Sequence, residues 1–169
     1  ELNFNIVIKI NNRKILNGIL SQVGIKDVKE AIIAIDKLDK IGTTGVAKEL
    51  KERGYSKKQA DAILTLVKKD TKITELKKKI TNEEGKQGIA EMQELLANLK
   101  PLGVSVQYDV SLARGQAYYT GTVLEVFLKN SKITSSIASG GRFDNMIGGF
   151  LGGGRSIPAV GISFGITPI

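Results

Sequence analysis

Residues 4–10 read FNIVIKI, with apolar side chains at every second position. Phe4, Ile6, Ile8 and Ile10 would line one face of a strand, against Asn5 and Lys9 on the other, with Val7 the exception. The period then lengthens. Ile15, Leu16, Ile19 and Leu20 are spaced as one helical stripe, so the chain is expected to pass from strand to helix between Asn11 and Gly18. A second helix is predicted over 27–41, capped by Asp27, with Val28, Ala31, Ile32, Ile35 and Leu38 inward and Gly42 ending it. Helical spacing continues to Leu102. One helix runs from Thr44 to Gly54. Ser56 opens the next, with Gln59 placed to complete a capping box and Ala60, Ile63, Leu64 and Val67 on its inner face. Ile73, Leu76 and Ile80 mark a short helix. The longest covers 83–99, with Ile89, Met92, Leu95, Leu96 and Leu99 inward, acids early, and Pro101 and Gly103 beyond its end.

After Gly103 the period returns to two. Val104, Val106, Tyr108 and Val110 alternate with other residues, 120–128 is rich in β-formers, and 133–138 and 160–166 are further strand candidates. A strand and helix, then a helical block, then strands with short connections predict an α+β fold: an antiparallel sheet carrying a helical insertion. The expected divisions are 1–42 for the first sheet elements, 43–102 for the insertion and 103–169 for the rest of the sheet.

Composition narrows the chemistry. The 169 residues include no cysteine and no histidine. Disulfides, thiolate chemistry and histidine acid–base catalysis within the chain are thereby excluded, and a zinc site would need carboxylates alone, so no metal site is expected. No apolar run is long enough to cross a bilayer and nothing near the start reads as a signal peptide, so no membrane partner and a cytoplasmic location are expected. Lys and Arg total 25 against 17 Asp and Glu, for a net charge of +8. That surplus favours a polyanionic partner. Lys57, Lys58, Lys68, Lys69, Lys72, Lys77, Lys78 and Lys79 gather around helix ends, which suits either a solvated face or contact with phosphates.

Two clusters stand out from this background: LARGQAYYTGTVLE at 112–125 and SGGRFDNM at 139–146. Each sets an arginine among glycines and aromatic residues. Such a mixture buries little apolar surface and is entropically costly to order, so it calls for a reason such as a bound anion. Guanidinium grips carboxylate or phosphate in a planar fork, and glycine lets a ligand approach the main chain. The run Gly148, Gly149, Gly152, Gly153 and Gly154 before Arg155 lacks the GK[ST] ending of a phosphate loop and reads better as a mobile loop near a ligand. Arg142 and Asp144 read as a structural pair.

The first cluster resembles the first histidine-specific signature of histidyl-tRNA synthetases, RGLDYYTG followed by a hydrophobic residue and Glu. The second resembles their second signature, AGGRYDNL. A third stretch, PAVGISFGI at 158–166, resembles the start of class II synthetase motif 3. The three stand in the family's order and spacing. The resemblance implies a catalytic domain built on an antiparallel sheet with helices against it, and a helical insertion that approaches the tRNA acceptor end. It also implies a two-step reaction. Histidine and ATP give histidyl-adenylate and pyrophosphate, with magnesium accompanying the nucleotide, and the histidyl group then passes to tRNA. Motifs 1 and 2 and an anticodon-binding domain are not found in this chain. It is therefore expected to be an internal piece, inactive alone, of a homodimeric enzyme.

By the same resemblance Arg114 contacts the histidine carboxylate and the α-phosphate. Tyr118 and Tyr119 surround the histidine. Gly140, Gly141 and Phe143 line its site, with Phe143 where the family usually has tyrosine. Gly161, Ser163 and Gly165 support ATP, and Lys57, Lys58, Lys68, Lys69, Lys77, Lys78 and Lys79 face tRNA. There are departures. Gln116 and Ala117 replace the signature's Leu-Asp, and Pro168, within Thr167-Pro168-Ile169, stands where motif 3 carries an arginine. The altered motif 3 end keeps open an alternative: a non-catalytic, histidine-binding paralogue of the ATP phosphoribosyltransferase regulatory-subunit type.

Overall fold

The computed structural model describes residues 4–152 and 154–165. Strand β1 (Ile6–Asn12) leads directly into helix α1 (Arg13–Gln22). Helices α2 (Val28–Ile35), α3 (Leu38–Glu52), α4 (Lys57–Leu66), α5 (Ile73–Lys79) and α6 (Glu83–Leu99) follow. The chain then returns to the sheet as β2 (Gln107–Tyr108), β3 (Thr122–Leu128), β4 (Ala138–Arg142), a short helix α7 (Met146–Phe150) and β5 (Val160–Phe164). The strand order is β2-β1-β3-β4-β5.

The sheet is mostly antiparallel, as strands with short connections predict, and three expectations about it are corrected. β2 is two residues long and pairs parallel to β1, Lys9 with Gln107 and Ile10 with Tyr108. Parallel neighbours need a crossover connection, and the whole helical block supplies it. A second correction concerns 133–138. The strand begins only at Ala138, with the Ile137 amide bonding Val126 O at 2.8 Å just before it, while Ser131 Oγ accepts from the Ile133 amide at 3.0 Å in the preceding loop. A third concerns the first strand. Ile10 is buried, whereas Phe4 and Ile6 are exposed, so the inner face of β1 is covered towards α1 and open at its start.

The helices end where local chemistry stops them. The predicted helix over 27–41 divides into α2 and the first turn of α3, and Gly42 (φ 67°) breaks the backbone where it was expected to. Asp27 Oδ1 accepts from the Lys29 amide at 3.1 Å. Ser56 and Gln59 form the reciprocal capping box, with Ser56 Oγ accepting from the Gln59 amide at 3.2 Å and Gln59 Oε1 accepting from the Ser56 amide at 3.0 Å.

One core joins these parts. Ile10, Ile15, Leu16, Ile19 and Leu20 of β1 and α1 are buried together with Ile35, Leu50, Ile63, Leu76 and Met92 of the following helices and with Val110. The lysine-rich helices therefore share apolar contacts with the first sheet elements. Two glycines bring α1 and α6 into backbone contact. A Cβ on Gly18 would lie 2.5 Å from Gly85 Cα, and one on Gly88 2.7 Å from the Ile15 amide nitrogen.

Candidate active site

Strand register decides which signature residues share a face. Lys9 pairs with Glu125, Glu125 with Ser139 and Ser139 with Ser163, so these four form a row across β1, β3, β4 and β5. The next row on that face is Asn11, Val123, Gly141 and Gly161. The β4–β5 end of this face therefore carries serine and glycine, while the opposite face carries Leu124, Gly140 and Ile162. A small, polar platform of this kind can admit a ligand against the sheet.

Arg114 is held over the first row. Its Nη1 pairs with Glu125 and its Nη2 donates to Ser139 Oγ at 3.0 Å. Burial disfavours its charge, but Glu125 outweighs that effect and keeps the guanidinium pKa above its ordinary value. Arg114 sits at φ 51°, the left-handed region that non-glycine residues rarely occupy. Backbone strain of this kind costs on the order of 1–3 kcal/mol and tends to persist where surrounding structure imposes it for function.

Tyr119 is buried beside Arg114, and Tyr118 is partly exposed. The two lie in a turn rather than a strand, with ring centroids 4.6 Å apart, so both stand near the same site instead of on opposite faces. Burial and Tyr118 push the Tyr119 hydroxyl pKa up, against the pull of Arg114. Phe143 meets Tyr118 edge-on at 6.1 Å and covers Gly161.

The glycines of the second signature serve close packing. A Cβ on Gly141 would fall 2.5 Å from Thr122 O and 2.9 Å from the Tyr119 ring. One on Gly140 would fall 2.2 Å from Gly161 O. Gly140 lies on the face away from Arg114, so the structure brings Gly141 to the site and leaves Gly140 behind the sheet. Arg142 Nε donates to Asp144 Oδ1 at 2.8 Å, the structural pair expected. Ser163 and Gly161 are on the Arg114 face of β5, while the Gly165 amide bonds to Ile137 O at 2.8 Å. Gly148 is pinned in α7, where a Cβ would collide with Arg155 O, so part of the glycine run is fixed by packing. Pro168 lies outside the described residues.

A cavity of about 430 Å³ opens beside Arg114, walled by Lys9, Asp39, Asp109, Glu125 and Ser136 among others. Lys9 Nζ bonds to the buried Asp109 at 2.9 Å and lies 3.6 Å from Asp39. Burial disfavours the Lys9 ammonium, yet these two carboxylates more than compensate and raise its pKa. Both signs of charge thus border one space.

Three consecutive polar residues at the β1–α1 junction build the site from below, and the hydrophobic pattern passes over them. Asn11 is fully buried and donates to Val110 O at 2.9 Å and Leu112 O at 3.0 Å. Asn12 caps α1 through the Lys14 amide at 2.9 Å and donates to Glu91 of α6 at 2.9 Å. Arg13 bonds to carbonyls at 114 and 116. A polar triplet between an apolar strand and an apolar helix was the available signal, since buried polar groups require partners. The lysines named for tRNA are all exposed, with Lys57 and Lys58 at one end of α4, Lys68 and Lys69 beyond the other, and Lys77, Lys78 and Lys79 in the last turn of α5.

A family profile described as histidyl-tRNA synthetase matches residues 3–169. Histidine–tRNA ligase 1 of Bacillus cereus is 44% identical over 174 residues, taking in 99% of this chain and 40% of that protein. The crystal structure of histidyl-tRNA synthetase from Nostoc sp. PCC 7120 superposes with a TM-score of 0.87 at 35% identity, over 98% of this chain and 41% of that one. A Bacillus halodurans structure described as an ATP phosphoribosyltransferase regulatory subunit/histidyl-tRNA synthetase shares the fold, with a TM-score of 0.75 at 24% identity over 94% of this chain and 41% of that one. The chain spans about two fifths of the length of the curated relatives it matches. On these grounds, and on its signatures and fold, the chain belongs to the histidyl-tRNA synthetase family.

Proposed function

We propose that this chain is a segment of a histidine–tRNA ligase and supplies part of the site that activates histidine with ATP. The observation that carries the reading is the placement of Arg114. It is tied to Glu125 and Ser139 above the polar row of the sheet, beside Tyr119 and a cavity bordered by both signs of charge. A zwitterionic amino acid suits such a space.

In the proposed reaction a carboxylate oxygen of histidine attacks the α-phosphorus of ATP. A new O–P bond forms as the bond to pyrophosphate breaks, and negative charge collects on the phosphoryl oxygens. Arg114 touches the acid and the α-phosphate and stabilises that charge, and Tyr118, Tyr119 and Phe143, which do not wall the 430 Å³ cavity, are assigned to the amino acid by the family resemblance. Gly161, Ser163 and Gly165 support the nucleotide along and just beyond β5, while Gly141 belongs to the histidine side, beneath Tyr119. Among the described residues no group of three or more Asp, Glu, His or Cys side chains converges on a point. The magnesium implied by the resemblance would enter with ATP as substrate.

The transfer step to tRNA, a homodimeric parent and a cytoplasmic site of action belong to the same proposal, as does the lack of activity of this chain alone. A histidine-binding regulatory paralogue is the second reading, favoured by Pro168 in place of the motif 3 arginine. Histidine-dependent exchange of radiolabelled pyrophosphate into ATP separates the two. The full-length protein carrying this segment should show it and the isolated chain should not. Histidine binding without exchange by the full-length protein would shift the assignment to the paralogue.

The exposed lysines are proposed to contact tRNA phosphates, with a division of 43–102 as the tRNA-facing insertion. Lys77, Lys78 and Lys79 favour the negative end of α5 and leave their charges free for solvent or phosphate. Changing all three to glutamine should weaken tRNA binding by the full-length protein and flatten the dependence of log affinity on log salt by about 0.7 to 0.9 for each phosphate no longer neutralised. An unchanged slope would leave these side chains as a solvated face.

A further inference from the structure

Arg13 occupies a place that general physical chemistry disfavours. It is the first residue of α1, at the positive end of the helix dipole, and it is 5% exposed. Burial pushes its guanidinium down to about 10, against the through-space pull of Asp36 and Tyr119, so it remains a cation at neutral pH. A buried cation at a helix N-terminus needs compensation. It finds it in main-chain carbonyls: Nη2 donates to Arg114 O at 2.5 Å and to Gln116 O at 2.7 Å. The Arg13 amide also donates to Gly121 O at 2.8 Å. One residue thus fastens both the start and the end of the turn that carries Arg114, Tyr118 and Tyr119.

We infer that Arg13 is a positioning residue, which acts through Arg114 by fixing the peptide plane that follows it. This rests on the reading that Arg114 stabilises the activation step. The left-handed backbone at Arg114 is unfavourable by itself and would relax towards ordinary φ values if its carbonyl were released. Relaxation would swing Cβ away from Glu125 and Ser139, and the guanidinium would leave its place over the sheet. Arg13 does not reach the 430 Å³ cavity. It borders a separate one of about 110 Å³, shared with Ala117, Gly115 and Tyr119. Its Nε is buried with no partner among the described residues.

The test uses the full-length protein and histidine-dependent pyrophosphate exchange, with folding checked by circular dichroism. Lysine at 13 keeps the charge but lacks the planar fork that spans two carbonyls. Arg13→Lys should lower kcat by about 10- to 100-fold at a temperature where the variant is fully folded, since small displacements of a catalytic group carry losses of this size. The double variant Arg13→Lys/Arg114→Lys should be no slower than Arg114→Lys, because both changes remove the same interaction. A folded Arg13→Lys enzyme with the parent kcat, or losses that multiply in the double variant, overturns the proposal while leaving the Arg114 reading intact. An Arg114→Lys enzyme at the parent rate, or a parent without exchange, overturns both together. If Arg13→Lys does not fold, Arg13→Gln decides: a folded variant with the parent kcat overturns the clamp, and a fall in kcat without a rise in histidine KM supports it.

Discussion

Arg114→Lys in the full-length protein should lower kcat for histidine-dependent pyrophosphate exchange by about 100- to 1,000-fold, the size of loss seen when one preorganised donor to a developing oxyanion is removed. The substitution keeps a positive charge opposite Glu125, so the partly buried carboxylate is not left unpaired. It also keeps a non-glycine side chain at φ 51°, so backbone strain is the same in both proteins. The fold should therefore survive, and the loss should report the guanidinium's geometry rather than its charge. In the resting arrangement Nη1 and Nη2 already serve Glu125 and Ser139. Those contacts hold the planar group rigid, with Nε buried and unpartnered among the described residues. A lysine ammonium has three donors on a flexible stem and cannot hold Glu125 while presenting a fork to an incoming acid. Parallel measurement of the histidine KM completes the test. A rise in KM with kcat unchanged would make Arg114 a ground-state binding group, and an unchanged kcat/KM would remove it from the site.

The parts of this molecule that were readable in advance are those governed by local patterns. The caps at Asp27 and Ser56, the stop at Gly42 and the span of α6 follow from side-chain chemistry within a few residues, and each is present. The signature clusters were legible because arginine, glycine and tyrosine in that mixture have little use in a core. What could not be read depends on residues far apart in sequence. The parallel pairing of β2 with β1 arises from where a crossover of nearly a hundred residues delivers the chain. Adjacent strand residues face opposite ways, and which of Gly140 and Gly141 meets the Arg114 face depends on register, which a glycine pair leaves unspecified because neither has a side chain to favour one face. Arg13 was hidden for a related reason. Its partners are carbonyls at 114 and 116, and carbonyls are common to every residue type. Charge arithmetic counted it among 25 basic residues, whereas burial makes it unlike the exposed lysines.

The α1–α6 crossing gives the second large effect, this time on stability. Alanine is a better helix former than glycine by about 1 kcal/mol, so propensity alone predicts that Gly18→Ala stabilises the protein. The structure reverses the sign. The new methyl would sit 2.5 Å from Gly85 Cα and 2.9 Å from the Gly85 amide nitrogen, and no rotamer change can clear two backbone atoms. The helices must separate, which loosens Ile15, Leu16 and Ile19 against Ile89 and Met92 in the shared core. Overpacking of this kind costs about 1–3 kcal/mol, and a backbone obstruction belongs at the upper end. Equilibrium urea unfolding of the chain should therefore show a net loss of about 2 kcal/mol for Gly18→Ala after the propensity gain is set against it. Gly149→Ala is the matched control. That glycine is also helical, its φ is not left-handed, and nothing lies within 4 Å of the added Cβ. It should be neutral or gain up to about 1 kcal/mol. The same substitution in two helices thus carries opposite signs, and packing distance is the variable that separates them. Equal midpoints for Gly18→Ala and the parent would show that the two helices have room to spare. The lysine-rich helices would then be attached to β1 and α1 less firmly than the shared core requires.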